Sequence, residues 1–256
     1  MPLVDLSDIE WGDVLSDADG VRCVVKRFAE TAVRREIAHY ALLRRLGVPT
    51  LEVLGAGPDW IALEEIEGSE WRLGNEADLA DAAVARALAS WYATLHTAGR
   101  TAERTGLFRQ TDVVTPESLA LIGRRWPELA GGVDWALRQL PELNARLDAL
   151  PETLTLNDFS WTNLAVHAFG GSALMTGYDL LGRGSAYADV RSVLTSLTPD
   201  AGAAFLDAYE AVSPLDPTER DLDAELAPLI ALALAARLEQ RPRWADASYR
   251  WLAAQG

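Results

Sequence analysis

The sequence predicts an α+β fold in two lobes, a small β-rich lobe followed by a larger, mostly helical one. Three observations carry this. β-Branched runs and tight turns fill the first 67 residues, Ala- and Leu-rich helical periodicity dominates afterwards, and one polar hairpin interrupts the helices at 164–178. Domain organisation follows: 1–67 as the front lobe, 68–256 as the helical lobe, with a hinge near 64–69.

The elements are justified in order. Residues 21–28 (VRCVVKRF) are rich in β-branched side chains and read as a strand, after a turn at Ser16-Asp17-Ala18-Asp19-Gly20. Helical spacing covers 31–46 and stops at Gly47, with Pro49 just beyond. Residues 51–53 and 60–66 read as short strands joined by Gly57-Pro58-Asp59. A long amphipathic helix is expected over 78–98, with Asp78 suited to its start. Further helices are expected at 116–122, 132–140 and 143–150. Strands return at 164–167 and 173–178, turning at Phe169-Gly170-Gly171. Helices at 187–197, 201–212, 221–239 and 244–253 complete the chain.

The 256 residues are 49% hydrophobic and 24% charged, an ordinary globular composition. No apolar run reaches the roughly 18 residues of a membrane span. The acidic start lacks a secretory pattern, and the single cysteine, Cys23, allows no internal disulfide, so cytoplasm is the expected compartment. The net charge of -15 argues against a nucleic-acid partner. It is compatible with a cationic small substrate, and equally with a role in solubility alone.

The chemistry concentrates in LTLNDFSWTNLAV, residues 154–166. Asp158 sits in a polar turn, Asn163 follows after four intervening residues, and the next strand ends at Tyr178-Asp179. A hairpin register pairing Asn163 near Gly177 places Asp179 diagonally on the same face, within roughly 7–8 Å. Oxygen donors so grouped suit a hard cation such as magnesium together with phosphate oxygens. Taken singly, Asp158 and Asn163 are also ordinary turn residues. Upstream, Lys26 lies inside an apolar strand. Glu36 shares a helix face with Val33, Tyr40 and Leu43, where an unpaired acid is costly, and Lys26 is its nearest partner. The alternatives are an edge lysine and a surface acid among arginines.

Lys26, Glu36, Asp158, Asn163 and Asp179, in this order and spacing, resemble the kinase signature set. The form is similar to the aminoglycoside phosphotransferase and choline kinase family, which has a protein-kinase-like fold. GYDLLGRGSAYADV (177–190) resembles its metal-binding aspartate followed by a second one, here Asp189. ALASWYATLHTAG (87–99) and FLDAY (205–209) resemble its helices. The resemblance implies a phosphotransferase moving the γ-phosphate of ATP or GTP to a hydroxyl of a small molecule. That acceptor is an aminoglycoside-like antibiotic, as in antibiotic resistance, an amino alcohol or a biosynthetic intermediate. It implies Asp158 as base, Asn163 and Asp179 holding Mg2+, Lys26 on the phosphates and Glu36 fixing Lys26. Main-chain groups at Glu64, Glu65 and Ile66 would meet the base, and Asp189 would brace the catalytic loop. A kinase of Ser or Thr in a modified peptide and a pseudokinase acting as a binding module remain alternatives.

The chain departs from that family in three places. Leu156-Asn157 replaces His-Gly before Asp158, no glycine-rich phosphate loop precedes Lys26, and Leu180 follows Asp179 where an aromatic is usual. Trp161 would stack on an acceptor or pack under the loop. Glu219, Asp221, Asp223 and Glu225 would line a cationic-substrate site or form a solvated helix start.

Overall fold

The β-branched run Arg22–Arg27 makes β2, whose Val25 is fully buried, and this strand organises the front of the chain. In the computed structural model the described residues are 14–16, 22–28, 35–67, 69–103, 106–157 and 159–256. The sheet order is β1 (Val14–Ser16), β2, β4 (Trp60–Glu64), β3 (Val53–Ala56), all antiparallel. Lys26 pairs with Ile61 in that ladder. Helix α1 (Arg35–Arg45) buries Glu36, His39, Tyr40 and Leu43, which repeat at helical spacing. Most of the turn expected at 16–20 lies outside the described residues.

A second sheet has the order β5 (Trp71–Leu73), β7 (Leu164–His167), β8 (Ala173–Met175). Strand β5 follows the expected hinge and has no counterpart among the sequence expectations. Behind it Gly74 donates its N–H to Leu164 O at 2.7 Å. A Cβ on Gly74 would lie 2.7 Å from the Trp161 carbonyl, so only glycine permits this approach.

The helix expected from Asp78 begins later, as α2 (Ala82–Gly99). Asp81 accepts hydrogen bonds from the N–H groups of Ala83 and Val84 and serves as its start. Asp78 is instead buried in a 3-10 turn. There it completes a capping box with Asn75 and takes a bidentate ion pair from Arg72. The Arg72 hydrogen bond holds the Asp78 carboxyl below its ordinary value.

Two expected helices, 132–140 and 143–150, are one continuous α4 (Ala130–Ala149) with Pro141 inside. Leu140, Leu143 and Leu147 continue one buried stripe across the proline, and that packing carries the helix through. Strands β6 (Thr153–Thr155) and β9 (Gly182–Gly184) pair antiparallel, and neither was expected. The remaining helices are α3 (Pro116–Arg125), α5 (Ala186–Leu194), α6 (Pro199–Glu210), α7 (Pro217–Ala235) and α8 (Asp246–Ala253).

The chain forms two compact units. The first comprises residues 1–98, 158–181 and 192–213 and holds the first two sheets with α1, α2 and α6. The second comprises 99–157, 182–191 and 214–256. Its core joins Leu119 and Ile122 of α3, the α4 stripe, Leu222, Leu226 and Leu229 of α7 and Leu252 of α8. Burying such side chains contributes about 1.5–3 kcal/mol each.

Candidate active site

In the first unit Glu36 is the joining residue. Its side chain is 6% exposed, and one carboxylate oxygen meets both Lys26 Nζ at 3.1 Å and the Tyr178 N–H at 3.3 Å. A buried carboxylate needs such partners, because an unpaired one is strongly disfavoured. The contact ties the front sheet to the residue preceding Asp179.

Two neighbours reinforce this tie: His39, which sequence reasoning missed, and Tyr40, which it placed on the same helix face without a role. His39, one turn after Glu36, places Nδ1 2.5 Å from Tyr178 O. Burial lowers its pKa, an effect partly offset by that hydrogen bond. Tyr40 donates its hydroxyl to Thr176 O at 2.7 Å and packs edge-on against Tyr178, with ring centroids 4.6 Å apart. Burial pushes both tyrosine hydroxyls well above their ordinary value, so they stay neutral donors. Tyr178 stacks in turn on Trp91 of α2. The spacing of Glu36, His39 and Tyr40 was the one available signal, since all three fall on one face of α1.

The oxygen donors Asn163 and Asp179 flank the hairpin of β7 and β8. The strand register pairs Leu164 with Met175 and extends to a hydrogen bond from Thr176 N–H to Asn163 O at 2.8 Å. The main-chain pairing is thus one residue away from the expected Asn163–Gly177 pairing. The Asn163 side chain nevertheless lies against Gly177, where a Cβ would come within 3.3 Å of the amide. Strand β8 ends at Met175, so a turn rather than a strand face sets the position of Asp179. Among the described residues neither the Asn163 amide nor the Asp179 carboxylate takes part in a hydrogen bond or ion pair. Both oxygens are therefore uncommitted, and a hard cation accepts such donors. No group of three His, Cys, Asp or Glu side chains suited to a metal occurs among the described residues. The residues that fit one are a single carboxylate and a single amide.

Asp158, the expected base, lies outside the described residues. Its predecessors are well placed. Asp189, 1% exposed, accepts the N–H of Leu156 at 2.7 Å and of Asn157 at 2.9 Å, one on each oxygen. Asn157 has φ 63°. That left-handed conformation is open to glycine and, among other residues, chiefly to Asn and Asp. Asn157 thus reproduces the backbone of the glycine it replaces, and its side chain donates to Thr155 O and Oγ1. Leu156 is fully buried, so packing occupies the position of the missing histidine.

At the expected hinge, the Glu64 N–H donates to Glu52 O and the Glu65 N–H to Arg22 O. The buried Glu65 side chain pairs with Arg22. The Ile66 N–H and the Glu65 carbonyl have no partner among the described residues. Trp161 is 37% exposed in a turn capped by Ser160. His96 and Tyr209, from two stretches of family likeness, are both buried and meet at 2.7 Å.

In the second unit Glu152, Glu219 and Asp223 are committed to the protein, whereas Asp221 is exposed. Glu152 accepts from Arg109 and, through both oxygens, from Arg183 at 2.9 Å. Burial acts to raise its pKa, but the two arginines outweigh it and hold the carboxyl below its ordinary value. Glu219 takes the Ser185 hydroxyl and the Tyr187 N–H, and Asp223 takes Arg191 Nε at 2.6 Å. Burial pushes the Asp223 carboxyl up, with Arg191 opposing. Neither Glu219 nor Asp223 is a solvated helix-start acid, since both are buried.

A β-sheet lysine tied to a helix glutamate, a braced loop and two free oxygen donors flanking a hairpin define a kinase-like phosphotransferase. The chain belongs to the phosphotransferase enzyme family, whose model matches residues 13–223. It is thus a phosphotransferase of the kinase type. No curated protein matches the sequence. Among solved structures the chain is similar to choline kinase LicA from Streptococcus pneumoniae, at 14% identity and TM-score 0.62, over 94% of this chain and 88% of that one. It is also similar to macrolide 2'-phosphotransferase MphH from Brachybacterium faecium, at 18% identity and TM-score 0.58, over 94% and 87%. Aminoglycoside phosphotransferase APH(2'')-Ib with ADP bound matches at 17% identity and TM-score 0.63, over 97% and 94%. No helix among the described residues is long and apolar enough to cross a membrane.

Proposed function

We propose that the protein transfers the γ-phosphoryl group of ATP or GTP to a hydroxyl of a small molecule, in the cytoplasm. Residues 1–67 serve as the nucleotide-binding lobe, and 68–256 carry the catalytic loop and acceptor site. The observation that carries this is the Glu36 carboxylate, which holds Lys26 and reaches the N–H beside Asp179. Lys26 neutralises phosphate charge. Asn163 and Asp179 would hold Mg2+, which supplies further charge neutralisation when bound. The Ile66 N–H and the Glu65 carbonyl offer a donor and an acceptor to the base edge. Asp158 orients and deprotonates the acceptor hydroxyl, and Asp189 fixes the backbone leading into it. Phosphoryl transfer asks mainly for positioning and charge neutralisation, and these groups supply both.

Nucleotide hydrolysis with magnesium, in wild type and Asp158→Ala, tests the reading. Removing a general base costs about 10²–10⁴-fold in rate. Equal hydrolysis in both proteins would contradict the role of Asp158. Nucleotide binding without any turnover would favour a pseudokinase.

A further inference from the structure

Asp179 has no strand to hold it. Strand β8 ends at Met175, and residues 178–181 form a β-turn closed by the Leu181 N–H, which donates to Tyr178 O at 3.1 Å. Asp179 is the second residue of that turn. The peptide group that leads into it is the one carrying Tyr178 O.

One buried face of α1 grips this stretch of backbone. The Tyr178 N–H donates to Glu36, Tyr178 O accepts from His39 Nδ1 at 2.5 Å, and Thr176 O accepts from the Tyr40 hydroxyl at 2.7 Å. A neighbouring strand would meet such groups through a ladder, and here helix side chains take its place. All of these residues belong to the first unit. The bond from His39 fixes its tautomer: a carbonyl oxygen only accepts, so Nδ1 carries the proton. Tyr178 O already has a main-chain donor in Leu181, so His39 is not needed to satisfy it. A second donor on the same oxygen instead fixes the plane of the Tyr178–Asp179 peptide, from which the Asp179 side chain departs.

Resting on the phosphotransferase reading, we infer that His39 is a positioning residue for the metal: by holding Tyr178 O it keeps the Asp179 carboxylate in its magnesium-binding position. Glu36, one turn earlier on the same face, holds Lys26. A single helix then carries the partners of both the phosphate-binding lysine and the metal-binding carboxylate.

The test is calorimetric titration of ADP at stepped magnesium chloride concentrations, read as the magnesium concentration that gives half the gain in affinity. Asn carries its amide nitrogen on Cγ, where His carries Nδ1, and Leu has the shape of Asn without the donor. His39→Leu should raise the half-effect concentration about tenfold, at the lower end of what losing an outer partner of a metal site costs. His39→Asn should restore most of that loss. ADP affinity in chelator should be the same in all three proteins, and denaturant unfolding run alongside reports the structural cost separately. An equal magnesium requirement in wild type and His39→Leu, whatever their stabilities, overturns the inference. So does an equal shift in His39→Asn and His39→Leu. If His39→Leu does not fold, His39→Gln, whose amide lies one bond further out, replaces it with the same two outcomes. Asp179→Ala separates the failures. If it abolishes a magnesium dependence that wild type shows while His39→Leu does not alter it, only the role of His39 is wrong. If wild type shows no magnesium dependence, the phosphotransferase reading falls too.

Discussion

Asn163 and Asp179 keep oxygens free of any hydrogen bond among the described residues, whereas Glu152, Asp189, Glu219 and Asp223 all accept from the protein. The two groups lie in different parts of the chain, and their residue types alone do not tell them apart. The difference teaches that an acid's partners, not its presence, mark it for cation binding. A carboxylate bonded to arginine or to backbone N–H has spent its lone pairs on the fold. One left open beside a lysine–glutamate pair is available for a metal and a phosphate.

The comparison can be broken by substitution, and the largest effect is expected at the joining residue. Glu36→Gln keeps the shape but removes the charge holding Lys26. Displacement of a positioning group by about 1 Å costs on the order of 10²-fold, so nucleotide hydrolysis should fall by about that factor. An unchanged rate would separate the Lys26–Glu36 pair from catalysis.

Among the committed acids, Glu152→Ala should leave hydrogen bonds from Arg109 and Arg183 unmade. Charged hydrogen bonds are worth about 1.5–3 kcal/mol, and denaturant unfolding should show a loss of that size. The arginines depress the folded-state pKa of Glu152 below the ordinary value of 4.5. Its stabilisation is therefore fully present above 4.5 and is lost as pH falls through the lower folded value. The variant should lose less stability than wild type on acidification through that window.

A smaller effect sharpens the loop account. Asn157→Ala places a β-carbon in a left-handed conformation, at a cost of roughly 1–2 kcal/mol, while Asn157→Gly should change unfolding by only a few tenths of that. Equal losses would mean that the Asn157 side chain, not its backbone, matters.

Much of this was legible beforehand. The order of Lys26, Glu36, Asp158, Asn163 and Asp179 gave the fold family, because positions along the chain were enough. The pairing of Lys26 with Glu36 followed from the cost of burying an acid on an apolar face. Strands β5, β6 and β9 were not legible, since each has three residues and exists only through partners distant in sequence. Pro141 suggested a break that long-range packing overrode. His39 carries only its place on the buried face of α1 as a signature. Its role depends on what faces it, the Tyr178 carbonyl.

Calorimetric titration of ADP into wild type and Asp179→Ala, each with magnesium and with a chelator, bears most directly on the nucleotide site. The proposal expects binding by wild type that weakens strongly when magnesium is removed, and an Asp179→Ala protein whose affinity no longer depends on the metal. Equal magnesium dependence in the two proteins, or none in wild type, would contradict it.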